Sequence, residues 1–308
     1  VIELVPKAAE LFGASVSPSD ARIVQLPPII LVLGAQLQDA STSARATFIN
    51  WLYINKHPLL ELIKTPENFE DWNNFQGYGN LVDFEIDAGN LTKAVILFCE
   101  SHGACAELGS FCMESSLSER LFIIISRENY EARSFVANGP IKKIELQHPN
   151  QNSVCVLETL EPSEMQNEIG NLIEALEEKI KSFPKTQAFQ HSRSRDQFLI
   201  VADLVDLFSA LTAHELHEII KIMQVEITFD KLERILNQLQ RFGLLNPVQF
   251  LTKKYYIAPK NRIPYINYVG LDGARKFDRA NFKITKVTPW LEGDKNRLRA
   301  YQQIHPKV

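Results

Sequence analysis

Glu107 lies in the stretch ESHGACAELGSF (100–111), between the apolar runs AVILFC (94–99) and LFIIIS (121–126). A chain that leaves a buried strand, bends through small residues and opens a helix brings free backbone N–H groups and a positive dipole to one point. Gly103 would let the bend be tight, and Ala104, Cys105 and Ala106 are small enough for a ligand to approach the main chain. A phosphate or a ribose oxygen would be held there. With the next helix expected over 104–117, Glu107 falls in its first turn, where the dipole favours the ionised form by roughly 0.3–1 kcal/mol. An ionised carboxylate beside a sugar can attack the anomeric carbon, or stabilise an oxocarbenium-like centre there. A first-turn glutamate is also what the dipole favours for stability alone, and spacing does not choose between the two. His102 could act as an acid toward a departing base or be a merely exposed imidazole. Trp51, Tyr53 and Trp72 could stack on a base or pack in the core.

The elements around this stretch alternate. PIILVLG (28–34) reads as a buried parallel strand ending in Gly34, and STSARATFINWLYINK (41–56) as a helix capped by Ser41 or Ser43. LLELIK (59–64) is a second strand, LVDFEIDAGNLTK (81–93) a helix, and AVILFC and LFIIIS are strands three and four. KKIEL (142–146) is read as a fifth strand, and 163–183 as a long amphipathic helix. This rhythm predicts an α/β fold, a flavodoxin/Rossmann-like parallel sheet of order 2-1-3-4-5, with ligands outside the carboxyl ends of the strands. The domain is expected over 1–183, with a polar linker at 184–197. Three helical patterns and a hairpin (VQFLTKKYYIAP, 248–259) then predict a C-terminal winged-helix domain over 198–260, followed by a basic tail at 261–308.

Charge is unevenly distributed. The net charge of the 308 residues is −4, yet residues 262–308 hold ten Lys and Arg against four Asp and Glu, leaving −10 for the rest. Such asymmetry marks an acidic or nucleic-acid partner, or simply a solvated basic surface. Lys231, Arg234, Gln238 and Arg241 recur at spacings of three, four and three, on one helical face opposite an apolar stripe. Lys253 and Lys254 fall in the hairpin; contacts from these six to phosphates would be strongly salt-dependent. The four cysteines (Cys99, Cys105, Cys112, Cys155) have no CxxC spacing, so a metal site is not expected and a reducing, cytoplasmic location is. No apolar run approaches the roughly 18 residues of a membrane span, and VIELVPKAAELF lacks the pattern of a signal peptide.

GNLTKAVILFCESHGACAELGSF resembles the core of the nucleoside deoxyribosyltransferase-like family, in which a strand, a Gly-containing bend and a small-residue stretch deliver a catalytic glutamate before an apolar-Gly pair, here Leu108-Gly109. ILFCES-G-x-x-x-ELGSF, followed by LFIIIS and RSFVANGPIK (133–142), is similar to the effector toxins of bacterial retrons. The likeness extends to TPENFEDW after strand two, to the domain order and to the IHP near the C terminus. The resemblance implies that Glu107 is the catalytic residue and that Gly34 marks the first ligand-contacting loop. Deoxyribosyltransferases usually have an aspartate about six residues before the glutamate. Ser101 stands there in this chain, with Glu100 beside it, which implies a ribose substrate or relaxed sugar selectivity if Glu100 does not substitute. Asp83 and Glu85 are both candidates for a further acid. Ser134, Asn138 and Gly139 would cover sugar or phosphate, although Asn-Gly-Pro is also strong turn chemistry. The implied activity is that of a toxin hydrolysing the N-glycosidic bond of NAD first, or of a purine nucleotide second, with no cofactor. Its implied partners are a retron reverse transcriptase and its msDNA, a DNA–RNA hybrid, and a homo-oligomer or higher assembly is compatible with it. The rival expectations are a nucleotide-sensing DNA-binding regulator without catalysis, and a salvage deoxyribosyltransferase.

Overall fold

The structure is a computed structural model describing residues 7–37, 43–69, 77–271 and 277–306. The chain divides into two compact units, Pro28–Pro184, and Val1–Pro27 together with Lys185–Val308. The expected first domain therefore loses its opening 27 residues to the other unit. In chain order α1 (Lys7–Gly13) and β1 (Val16–Ile23) come first and belong there.

The unit Pro28–Pro184 holds β2 (Ile30–Leu33), α2 (Ala44–Ile54), the two-residue β3 (Ile63–Lys64), α3 (Leu81–Asn90), β4 (Ala94–Phe98) and α4 (His102–Phe111). It continues through α5 (Ser115–Ser118), β5 (Leu121–Ser126), α6 (Arg127–Glu131), α7 (Lys142–Gln147), β6 (Val154–Leu157), α8 (Pro162–Met165) and α9 (Ile169–Ser182). The five strands form one parallel sheet in the order β3-β2-β4-β5-β6. Every residue of β2 and β4 is buried, as strands covered on both faces require. Alternate side chains (Ile30, Val32, Ile96, Phe98, Phe122, Ile124) join one core with α2 and α9, the period-two signature of a strand. At the other end Arg120, 1 % exposed, gives its Nε–H to Ser116 O at 2.7 Å and also bonds Thr92 O, which joins α5 to the turn before β4.

Three sequence expectations fail here. KKIEL is helical, and the fifth strand is Val154–Leu157. A strand would place Ile144 and Leu146 on the same face, but Ile144 is buried and Leu146 is 71 % exposed, as on a helix. Pro140, which has no N–H to donate, sits in a π-turn at Ala137–Ile141 that runs directly into α7. The helix expected over 104–117 breaks into α4 and α5, and the strand expected over 59–64 is mostly a 3-10 turn, Pro58–Leu62.

The other unit adds β7 (Gln187–Ala188), α10 (Ser194–Phe208), α11 (Ala213–Ile222), α12 (Phe229–Arg241), β8 (Asn246–Phe250), β9 (Lys253–Ile257) and β10 (Ile266–Gly270). It closes with α13 (Arg279–Phe282), α14 (Thr288–Gly293) and α15 (Lys295–Ile304). β10-β1-β7 form an antiparallel sheet and β8-β9 a hairpin. The supposed linker is thus structured: Ala188 pairs with Arg22, Phe189 is buried, and α10 begins inside it. The described part of the supposed tail is likewise folded, with α15 lying on β8 and β9. Thr212 and Glu215 form a capping box at the start of α11. Among the described residues no helix is long and apolar enough to cross a membrane.

Candidate active site

Ser101 caps α4, its Oγ accepting from Ala104 N at 3.1 Å, and the helix opens at His102. Ser101 therefore serves the helix end, and Glu107 lies in the second turn rather than the first. Gly103 is not needed for the bend, since a Cβ there would meet only Ser101 Oγ, at 3.8 Å. His102 is exposed.

Glu107 is not the permanently ionised group that a first-turn position implied. Its Oε2 is buried and has no hydrogen-bond partner. Burial pushes the carboxyl up to about 7; the neighbouring charges of Glu85 and Glu67 add to the rise, and Arg45 opposes it. Helix α3, which packs on α4, supplies Glu85, 7 % exposed. Asp83 is exposed, and its Oδ2 accepts from Asn80 Nδ2 at 2.9 Å at the cap of α3. Of the two acids, Glu85 is the one beside Glu107. Cys99, on the bend, is no nucleophile: burial, with Cys105, Glu107 and Glu100 nearby, pushes its thiol up to about 12.

Glu100 faces the first strand-helix connection. Its Oε2 accepts from Ala44 N at 2.7 Å, and its Oε1 accepts from Arg45 N and Ala35 N, each at 3.2 Å. Burial raises its proton affinity above the usual carboxylate range, although these three donors and Arg45 pull it down. Gly34 makes the approach feasible. Its φ is +151°, and an added Cβ would lie 2.9 Å from Phe98 Cβ, 3.2 Å from Arg45 Cδ and 3.2 Å from Glu100 Oε1.

Two residues of this site were not singled out from the sequence. Arg45, 2 % exposed, forks onto Glu67 (Nη1–Oε1 3.0 Å, Nη2–Oε2 2.6 Å) and donates to Ala35 O at 2.9 Å. Burial opposes ionisation of Glu67, but the hydrogen bond and charge of Arg45 overcome it and hold that carboxyl below its ordinary range. The signals were present: an arginine among small residues in the first turn of α2, and a glutamate within TPENFEDW.

Beyond β5, Ser134 Oγ accepts from Ala137 N at 3.2 Å and Asn138 Nδ2 donates to Ser134 O at 3.0 Å. Both side chains thus stabilise the π-turn, which packs on α4. Gly139 lies under the Phe135 ring, whose Cζ would be 3.4 Å from an added Cβ. Trp51 packs partly buried on the sheet core, Tyr53 is 71 % exposed, and Trp72 and Ser41 lie outside the described residues.

The model for the STM3845 retron effector protein family matches residues 41–247, more than half of the chain. The chain belongs to the retron effector family. It is also 25 % identical, over 97 % of its length and 96 % of the relative's, to an Escherichia coli protein named "Retron Ec73 putative ribosyltransferase/DNA-binding protein".

In the other unit of this retron effector, the expected nucleic-acid face is only partly available. Gln238 is 1 % exposed, so it belongs to the interior and not to a contact surface. It sits one residue from Leu239 and two from Leu236 on α12, and the buried stripe is wide enough to include it. Lys231, Arg234 and Arg241 are half-buried, and Lys253 and Lys254 are exposed on the hairpin. Much of the C-terminal basic charge is spent internally. Arg279 pairs with Asp203 and Asp206, Lys283 with Asp206, and Arg297 with Glu215 while stacking on Trp290 at 4.1 Å. Lys286, Lys295 and Arg299 remain exposed; Arg275, Lys276 and Lys307 lie outside the described residues. Among the described residues no group of three His, Cys, Asp or Glu is placed to hold a metal ion.

Proposed function

We propose that this retron effector is the toxin of an anti-phage system, an N-glycosidase acting in the cytoplasm on NAD first and on purine nucleotides second. The observation that carries this is Glu107 Oε2, a buried carboxylate oxygen with no partner, beside Glu85 and beyond the carboxyl end of β4. A buried acceptor left empty costs stability unless something else fills it, and an electrophilic sugar carbon is what such an oxygen suits. Ionised Glu107 would attack C1′, and the C1′–N bond pair would leave with the base. Water would then attack C1′, releasing the carboxylate and giving the free sugar hydroxyl, its second proton passing to solvent. For NAD the departing pair neutralises the cationic nicotinamide ring, so the leaving group needs no proton and no cofactor enters. The name of the Escherichia coli relative, a ribosyltransferase, supports glycosyl transfer as the reaction class.

The test is to express the chain alone and follow growth and the nucleotide pool beside a Glu107→Gln variant. Growth arrest and loss of NAD or purine nucleotide are expected from the unaltered chain only. Equal toxicity from both would refute catalysis. A harmless chain that needs an acceptor base would instead be a salvage deoxyribosyltransferase.

A second role is favoured by α10, α11 and α12 followed by the β8-β9 hairpin, and by the relative's description as DNA-binding. Read as a winged helix, this part would contact the msDNA of a complex with reverse transcriptase that restrains the toxin. Lys231, Arg234, Arg241, Lys253 and Lys254 are its contacts. Changing Lys253 and Lys254 to Glu should weaken binding to a DNA–RNA hybrid and flatten its salt dependence by about two phosphate contacts. Unchanged affinity would exclude the hairpin. A regulator without catalysis would show this binding and no loss of nucleotide.

A further inference from the structure

In an open parallel sheet, the turn after the first strand and the N terminus of the helix that follows form the usual cradle for a nucleotide phosphate. A glycine there lets the anion come close. This effector has the parts: Gly34 at the end of β2, the N–H of Ala35, and the first N–H groups of α2 at Ala44 and Arg45. All three N–H groups converge on one carboxylate, and that carboxylate is Glu100 from the neighbouring strand's end. The space that Gly34 leaves open is filled by Glu100 Oε1, 3.2 Å from where a Cβ would stand.

The nearest guanidinium is spent in the same way. Arg45 is 2 % exposed and forks onto Glu67, with a further hydrogen bond to Ala35 O. A phosphate entering here would have to expel Glu100 and leave its charge near Glu67, Glu85 and Glu107. We propose that Glu100 is a built-in anion that fills the α2 cradle, bars phosphate from it, and makes this site select substrates whose phosphate is not gripped beside the first strand. Glu100 is thus a positioning and specificity residue, not the sugar ligand expected from its place beside Ser101. Its effect on turnover rests on the proposed reading of Glu107; the filled cradle does not.

The experiment titrates inorganic phosphate into the full chain, unaltered and as Glu100→Ala, following the amide resonances of Ala35, Ala44 and Arg45 and the melting temperature. In the unaltered chain these amides should stay fixed at millimolar phosphate. In Glu100→Ala they should shift together and saturate, and the melting temperature should rise with phosphate as mass action requires. Should the variant fold poorly without phosphate, recovery of folding on adding phosphate reads the same site. For turnover, KM for a 5′-phosphorylated nucleoside relative to the unphosphorylated one should fall at least several-fold in the variant. Phosphate shifts at these amides in the unaltered chain would overturn the proposal, as would a variant that phosphate neither binds nor rescues. If no nucleoside is cleaved by either protein, the functional reading fails while the titration still decides the cradle.

Discussion

Replacing Glu107 by Gln should abolish turnover and stabilise the protein, with a pH dependence that identifies the cause. In the folded chain the carboxyl is displaced from 4.5 to about 7, chiefly by burial. At 1.36 kcal/mol per pH unit, that amounts to about 3 kcal/mol in favour of the protonated form. The folded state then holds this proton more tightly than the unfolded state, so stability falls as pH rises from about 4.5 to about 7 and the full penalty stands above that. Glutamine imitates the protonated acid and escapes it. At pH 8 the variant should be more stable by up to about 3 kcal/mol, and at pH 4 the gain should vanish. For a unit of this size each kcal/mol moves the melting temperature by about 2–4 °C, so a rise of about 6–12 °C is the ceiling. The assay is thermal unfolding of the full chain at pH 4, 6 and 8, with hydrogen exchange of the β4 and β5 amides to report on this unit. A variant no more stable than the parent at pH 8, or equally stabilised at pH 4, would refute a carboxyl whose Oε2 is buried without a partner.

Further outcomes follow from neighbouring residues. kcat/KM should fall as pH drops through about 7, as the carboxyl of the free enzyme protonates, and Glu85→Gln, by removing a like charge, should move that limb of the pH–rate profile to lower pH. Gly34→Ala combines a φ of +151° with a contact of 2.9 Å to Phe98 Cβ; unfolding in urea should show a loss of about 2–5 kcal/mol. In the other unit, Asp203 is 0 % exposed and accepts from Tyr265 N at 2.9 Å, Tyr268 Oη at 3.0 Å and Arg279 Nη1 at 2.7 Å. Asp203→Asn puts an N–H donor among donors and leaves Arg279 with Asp206 as its remaining carboxylate, so the β10 amides should lose about 3–5 kcal/mol of exchange protection.

The parallel sheet was legible wherever burial on both faces produced an unbroken apolar run, as in AVILFC and LFIIIS. It was illegible where packing overrode pattern. Val154–Leu157 is short and flanked by turn-forming residues, while KKIEL alternates like a strand and is helical, continuing the π-turn that precedes it. Pairing of Val16–Ile23 with Ile266–Gly270 joins segments far apart in the chain, which no local pattern encodes. The basic C-terminal segment misled for a related reason. A charge reads as exposed until its partner is known, and Arg279 and Arg297 have theirs in α10 and α11. In the site, spacing located Glu107 and the bend, but the N-cap falls at Ser101 and moves Glu107 out of the dipole's reach.

That two-residue displacement of the helix start changes the chemistry available. In a first turn, Glu107 would ionise readily and hold its charge among free N–H groups. In the second turn it faces Glu85, with Glu67 near, and Arg45, whose charge reaches it, is already forked onto Glu67. The donors that could have fixed its charge, at the α2 N terminus, are occupied by Glu100. The chain has therefore spent its positive groups on two other carboxylates and left the third poised near neutral pH. A carboxyl so poised is ionised by whatever positive charge comes beside it, because an opposite charge within a few ångströms lowers a carboxyl's proton affinity. Under the proposed function, a cationic nicotinamide riboside would itself release the proton from Glu107 and generate the nucleophile that attacks it, whereas a neutral nucleoside would meet the acid partly protonated.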